Sequence, residues 1–314
     1  QLPPPLDDSP KCPRCSLVTI CLPDETRFLT RGGSEPRKLV PASDDAHPVY
    51  VQQAGAVVRK KGDVLEVHAD DEKIGEARIG ETSQLVVFGR VQVTTQALQA
   101  LSEREIPIVY CTSGGWLIAV TSGLPHKNIL LRQRQYALAA DAETCARIAS
   151  RLVRAKLSNM RTILRRNHPG PLDSRVLDGM KREGEAAIRT TDLGVVVGHE
   201  GAGSKLYFEH FSAMLKDDAP FRSFDFNGRS RRPPLDRVNA LLSFTYAMLA
   251  REWTTVAWTI GLDPYLGFLH RPRYWRPSLA LDLMEAFRPL IADSVVITLI
   301  NNGEISAGDF VERF

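Results

Sequence analysis

The period of the hydrophobic pattern changes once along this 314-residue chain, and that change constrains the fold more than any other feature. Between Val49 and about Ser122 apolar residues come in short β-branched runs separated by glycine-bearing turns. VYVQQAGAVVRKKGDVLEVHA reads as an opening strand followed by a hairpin turning at Lys61-Gly62-Asp63; QLVVFG, IPIVYC and WLIAVTS supply further strands, and TQALQALSERE a short helix. From about Lys127 onward, apolar residues recur at three- and four-residue steps through Ile129–Leu164, Leu206–Leu215, Val238–Leu249 and Leu279–Ile291. Pro169-Gly170-Pro171 breaks this run, Pro233-Pro234 marks the start of another helix, and a strand-like run comes shortly before Phe314. The expected class is α+β: a β-sandwich-like N-terminal domain over 49–126 and a mainly α-helical domain over 127–314. Residues 1–48, with three cysteines and a polar Gly/Pro-containing stretch, read as a tail and linker.

Composition narrows the function less than charge distribution does. A chain of this length with 43% hydrophobic residues can bury more than one core. Forty basic against 37 acidic residues give a net charge of only +3. The run RIASRLVRAKLSNMRTILRR, Arg147–Arg166, nevertheless contains no acid, and Arg229, Arg231 and Arg232 form a second basic cluster. Such patches attract phosphate backbones or simply form a solvated helix face. No stretch approaches the roughly 20 apolar residues of a membrane span, and no signal-peptide pattern is present. The expectation is a soluble, cytoplasmic protein, and the two ends suggest a piece of a longer one.

Cys12, Cys15 and Cys21 stand in KCPRCSLVTICLPDE, a C-x2-C-x5-C arrangement. Two thiolates two residues apart can hold one metal centre, and the third can fold back onto it. Zinc and iron–sulphur clusters both take four ligands, and spacing does not choose between them. Cys111, in an expected strand, and Cys145, in an expected helix, are not obvious fourth ligands.

The helical half holds dispersed acids and one notable histidine. Glu200, in VVVGHEGAGSKLYFEHF, reads as lying near a helix start on the face of Ser204, Tyr207 and Phe211, and Gly203 points to close backbone approach. A plainer reading is a carboxylate assisting a helix N-terminus. His270 ends GLDPYLGFLH, at the end of a short helix or in a loop, where a structural histidine is the commoner case. Asp282 and Glu285 lie three residues apart in SLALDLMEAFRPL, beside an expected core face of Leu283, Met284, Phe287 and Ile291; an ordinary solvated acidic face fits equally well. Oxygen donors with one imidazole suit magnesium or manganese better than zinc.

GHEGAGSKLYF, RSRRPPLDRVNALLSFTYAML, GLDPYLGFLH and SLALDLMEAFRPLIADSVV, in this order, resemble signature segments of the CRISPR integrase family (Cas-one) from about Val49 to the C-terminus. The resemblance implies a sandwich followed by a helical catalytic domain. It implies metal ligands at Glu200, His270 and Glu285, with Asp282 the neighbouring acid, and DNA contacts at Arg273 and Arg288. Arg229, Arg231 and Arg232 are further DNA-binding candidates on charge and placement. It also implies a Mg²⁺ or Mn²⁺ cofactor, double-stranded DNA as partner, a homodimer and a small Cas-two subunit. The expected reaction inserts short foreign DNA into the CRISPR repeat by attack of a 3′-hydroxyl; the alternative is a non-catalytic DNA-binding scaffold. The cysteine string resembles the C-terminal motif of the RecB-like CRISPR nuclease (Cas-four). That likeness implies a 4Fe-4S cluster on Cys12, Cys15 and Cys21 whose fourth cysteine lies outside this chain, and an exonuclease in the parent protein.

Overall fold

The computed structural model describes residues 46–123, 129–216, 228–230 and 233–310, together with Ser9. Cys12, Cys15, Cys21, Arg231 and Arg232 therefore lie outside the described residues.

The first region is built from eight strands: β1 (His47–Val51), β2 (Val57–Lys61), β3 (Val64–Ala69), β4 (Glu72–Arg78), β5 (Thr82–Phe88), β6 (Gln92–Val93), β7 (Ile108–Cys111) and β8 (Leu117–Thr121). Two four-stranded sheets result, ordered β1-β5-β7-β8 and β4-β3-β2-β6. The β2–β3 hairpin closes through Lys61↔Val64, where Gly62 has φ +60° at the first central position. That is the geometry of a two-residue turn that glycine adopts without steric cost. The β3–β4 hairpin closes on Asp70 and Asp71, both at positive φ, a conformation that aspartate tolerates better than most residues. Val51, Leu85, Val87 and Ile108 from one sheet meet Val58, Leu65 and Val67 from the other in a single core. Helix α1 (Thr95–Glu103) packs Ala97 and Leu101 against that core and is capped by Thr94. This is the expected sandwich.

The second region follows the 3.6-residue period: α2 (Ile129–Ala140), α3 (Ala142–Asn167), α4 (Ser174–Ile188), α5 (Leu193–Glu209), α6 (Arg237–Thr259), α7 (Ser278–Met284) and α8 (Ser294–Asn301). Asp141, Asp173, Asp192 and Asp236 each accept a backbone N–H at a helix start, so four helix starts are fixed by side-chain caps. Helix α3 is the spine, and its stripe of Ala149, Val153, Leu157, Met160 and Leu164 is buried in a core shared with α4, α5, α6 and α8. Gly203 of α5 sits against Leu157: a Cβ there would come within 2.5 Å of a Leu157 methyl, so the close approach expected at this glycine is present.

Three local expectations fail. Glu200 is eighth in α5, not at its start, because Asp192 caps the helix earlier through the N–H groups of Gly194 and Val195. The β-branched run SVVITLIN is helix α8, not a strand: Val296, Ile297 and Ile300 all reach the helical core, and packing overrides β-propensity. Phe287 and Ile291 are exposed instead of forming a core face. Helix α7 stops at Met284 and Arg288–Asp293 winds as one π-helical turn, so the 3.6-residue spacing does not carry across.

Candidate active site and metal centre

Four segments converge on one buried charged centre: α3 brings Lys156, α5 brings Glu200, the loop before α7 brings His270, and α7 with its C-cap brings Asp282 and Glu285. Lys156 is 2% exposed, and its ammonium lies 2.8 Å from Glu285 Oε2 while also pairing with Glu200 Oε1. One cation thus joins two acids that are 85 residues apart in sequence. Ser204 Oγ donates to Glu200 Oε1 at 2.9 Å, one helical turn along α5. Asn159, one turn beyond Lys156, donates to the Ala286 carbonyl at 2.7 Å and ties α3 to the segment that carries Glu285.

The acids of this segment are inside, with Asp282, Glu285 and Asp293 all buried, so the solvated-face reading fails. Burial raises the Glu285 carboxyl, but the Lys156 and Arg288 charges outweigh it and bring it down to about 2. Glu200 is also held below its ordinary range: burial opposes the ionised form, and Lys156 outweighs it. Arg288 pairs with Glu285 Oε1 at 3.1 Å and lies 4.8 Å from the centre of the Tyr246 ring.

Asp282 organises the histidine. Its Oδ2 accepts the backbone N–H groups of Phe268 (2.5 Å) and Leu269 (2.9 Å), and Oδ1 accepts the N–H of His270 (2.9 Å) and its Nδ1–H (2.7 Å). Four donors use the four acceptor directions of a carboxylate. Gly267 makes this wrapping feasible, since a Cβ there would fall 2.7 Å from Asp282 Oδ2 and 2.7 Å from the Ser278 backbone. The bond at Nδ1 fixes the ring so that Nε2 faces Glu285, 3.9 Å from its Oε1.

Among the described residues no three His, Cys, Asp or Glu side chains stand ready to ligate a metal. The Lys156 ammonium occupies the space between the two glutamates. Even so, the donor set fits a divalent ion. Lys156 is a stand-in cation, and Glu285 Oε2, close to that ammonium, receives no hydrogen bond. Glu200, Glu285 and His270 Nε2 are oxygen and imidazole donors of the kind that magnesium or manganese takes.

Sequence reasoning missed Lys156 and Asp293. Lys156 interrupts the apolar stripe of α3 at the expected spacing, three residues after Val153 and four before Met160, and that interruption was its signal. Asp293 accepts from Tyr246 at 2.6 Å and Tyr207 at 2.9 Å. Burial raises it to about 6 against those two hydrogen bonds, and burial with Asp293 beside them pushes both tyrosines well up. The arginine candidates separate. Arg273 is exposed, whereas Arg229 turns inward onto Asn239 Oδ1 (2.7 Å) and Ser243 Oγ (2.9 Å).

A sandwich followed by this helical body is the fold of solved Cas1 and casposase structures. A Cas1 protein from Thermotoga maritima superposes with TM-score 0.70 at 24% identity over 85% of this chain and 83% of that one. A casposase bound to integration product gives 0.68 at 24% over 85% and 76%. Residues 49–313 match the family described as CRISPR associated protein Cas1, and the chain belongs to that family. A Cas4/Cas1 exonuclease–endonuclease fusion of Geobacter sulfurreducens is 51% identical over 99% of this chain and 56% of its own length. A fusion of the same description from Rhodospirillum rubrum is 42% identical over 99% and 54%. The chain therefore spans about half the length of these relatives. A Cas1 endonuclease of Chlorobaculum tepidum is 35% identical over 83% of this chain and 78% of its own. No described helix is long and apolar enough to cross a membrane.

Proposed function

We propose that this chain is the integrase part of a CRISPR adaptation protein, a divalent-metal-dependent DNA endonuclease–integrase acting in spacer acquisition. The helical region 127–314 carries the chemistry and the sandwich 49–126 supports it. The 3′-hydroxyl oxygen of a short foreign DNA forms a new bond to a repeat phosphorus, and the displaced 3′-oxygen leaves and takes up a proton; water in place of the hydroxyl gives hydrolysis. The observation that carries this reading is that Lys156 joins Glu200 and Glu285 at one cation position, with His270 Nε2 3.9 Å from Glu285 Oε1.

Glu200, Glu285 and His270 would hold Mg²⁺ or Mn²⁺, and Asp282 orients the imidazole. When bound, the ion stabilises charge developing on the phosphoryl oxygens and lowers the cost of ionising the attacking hydroxyl. Lys156 and Arg288 balance the two glutamates, and positive charge held at this centre complements the dianionic transition state of phosphodiester transfer. Arg273 and Arg288 position DNA, with Arg231 and Arg232 as outlying contributors to phosphate binding, whereas Arg229 is engaged by Asn239 and Ser243.

DNA, a second copy of the chain and a small Cas2 subunit are the proposed partners. The Cas2 assignment draws support from Cas1–Cas2 assemblies among the structures of similar fold. Edge strand β8, with Ile118 exposed beside Trp116, is the kind of surface a second copy covers. Cys12, Cys15 and Cys21 would hold a 4Fe-4S cluster with a fourth cysteine from the parent protein, whose further module trims DNA as an exonuclease. A visible absorption band in that longer protein, lost with Cys12→Ser, checks the cluster.

The decisive experiment is strand transfer with Mg²⁺ or Mn²⁺, run with and without the small partner. His270→Ala should abolish it and leave DNA binding within about twofold, since no phosphate-neutralising charge is lost. Undiminished transfer would remove the metal assignment.

A further inference from the structure

Ten residues lie between the end of α6 at Thr259 and His270, and one buried side chain from another helix grips them. Gln135 of α2 is 4% exposed. Its Nε2 donates to the carbonyls of Asp263 (2.8 Å) and Leu266 (3.0 Å), and its Oε1 accepts the Asp263 N–H (2.9 Å). The amide matches the backbone it meets, with both N–H bonds directed to carbonyls and the oxygen to an N–H. Its neighbours on α2 hold the same segment. Arg132 Nε donates to the Gly261 carbonyl at 3.0 Å, and the Tyr136 hydroxyl to Asp263 Oδ2 at 3.0 Å.

The gripped segment leads to the charged centre in two ways. At its far end the backbone N–H groups of Phe268, Leu269 and His270 meet Asp282. In its middle, Pro264 lies between the two residues that Gln135 holds, and its carbonyl accepts the N–H groups of Leu279 (2.9 Å) and Ala280 (3.4 Å). Helix α7 has no side-chain cap of its own at Pro277, so Pro264 satisfies N–H groups that the first turn leaves open. That helix and its C-cap carry Asp282 and Glu285. A shift of this segment therefore moves the imidazole, the carboxylate that orients it and Glu285 together. On the other side, α2 runs through the Asp141 cap into α3, which bears Lys156.

We infer that Gln135 is a positioning residue of the metal centre: by gripping the backbone at Asp263 and Leu266 it sets where His270 Nε2 and the start of α7 stand relative to Lys156 and Glu200. It acts through the backbone and supplies no ligand. Being uncharged at every pH, its amide leaves the balance of charges at the centre unaltered. This inference rests on the function proposed above and adds to the same site a residue that its chemistry does not include.

The test uses the whole protein and Mn²⁺, whose pulsed EPR spectrum carries nitrogen modulation when an imidazole coordinates the ion. Wild type should show that modulation, and His270→Ala should lose it. Gln135→Met keeps the size of the side chain and removes both donors. Mn²⁺ should then bind about tenfold more weakly, with the nitrogen modulation reduced in the protein that does bind it. Two carbonyls are left without a donor, so this variant should also unfold at a lower temperature. A lower midpoint with Mn²⁺ affinity and modulation unchanged would make Gln135 merely structural and overturn the proposal. A second measurement needs no variant. Coupling between two sites is reciprocal, so Mn²⁺ should slow hydrogen exchange at the Asp263 amide of wild type about threefold more than at the Leu85 amide, which bonds to the Pro107 carbonyl in the sandwich. Equal slowing at the two amides would also overturn the proposal. Either failure, with nitrogen modulation intact in wild type, removes this inference alone. Wild type without that modulation would overturn the proposed metal centre as well.

Discussion

The two regions of the molecule bury different things. Between its sheets the sandwich buries Val51, Val58, Leu65, Ile79, Leu85 and Ile108, a core of side chains that need no partner. The helical region encloses Lys156, Asp282, Glu285 and Asp293 beside a core of comparable closeness. An apolar core stabilises through the area it removes from water, at about 25 cal/mol per Å². A buried charge is costly unless every neighbour is in place, so the charged centre of the helical region depends on exact pairing in a way that the sandwich core does not. Each substitution below acts on one side of the contrast.

Lys156→Met should have the largest effect. Removing the ammonium leaves two carboxylates facing each other, and loss of one partner of a buried ion pair costs about 4 kcal/mol. Thermal unfolding without metal should show that loss. Added Mn²⁺ should then raise the midpoint of the variant by more than that of wild type, and equal increments would mean that the ammonium does not stand where the ion binds. Leu65→Ala, in the sandwich, should cost about 3 kcal/mol through the cavity it leaves, while the strand-transfer rate measured well below the midpoint stays within twofold. A large fall in rate there would erase the division between the regions.

Asp293→Asn gives the smallest and most pH-dependent effect. The folded value of Asp293, about 6, lies above its ordinary 3.8. Its contribution to stability is complete below that ordinary value and is lost as pH rises through the folded one. Denaturant titrations from about pH 4 to about pH 7 should show wild type losing about 2 kcal/mol relative to the always-neutral asparagine variant. Glu285 works in the opposite sense, its stabilisation being present above 4.5 and lost as pH falls towards about 2. A difference between the two proteins that is flat with pH would place Asp293 outside the buried network.

Much of this was legible in the sequence. The change of period gave the sandwich and the helices, because alternation and 3.6-residue spacing reflect which faces are covered. Glu200, His270 and Glu285 were found through ordered motifs. Their meeting at one point was not visible, since the convergence depends on how α3, α5 and α7 cross. The exposed Phe287 and Ile291 were misread because a π turn changes the winding after Met284. Lys156 was submerged in a basic run whose other members mostly face water. Position in the apolar stripe, rather than charge, distinguished it.

The hydrogen bond from Asn159 to the Ala286 carbonyl bears on how such a sequence can drift in length. Lys156 and Asn159 act as two teeth of one rack: each residue added to or removed from α3 ahead of them turns both by about 100° relative to the rest of the helix. Insertions and deletions in the first half of α3 should therefore be purged. The exposed segment from Arg273 to Arg276, flanked by the His270–Asp282 and Ser278–Arg271 hydrogen bonds, can change in length without disturbing the register of the centre beneath it.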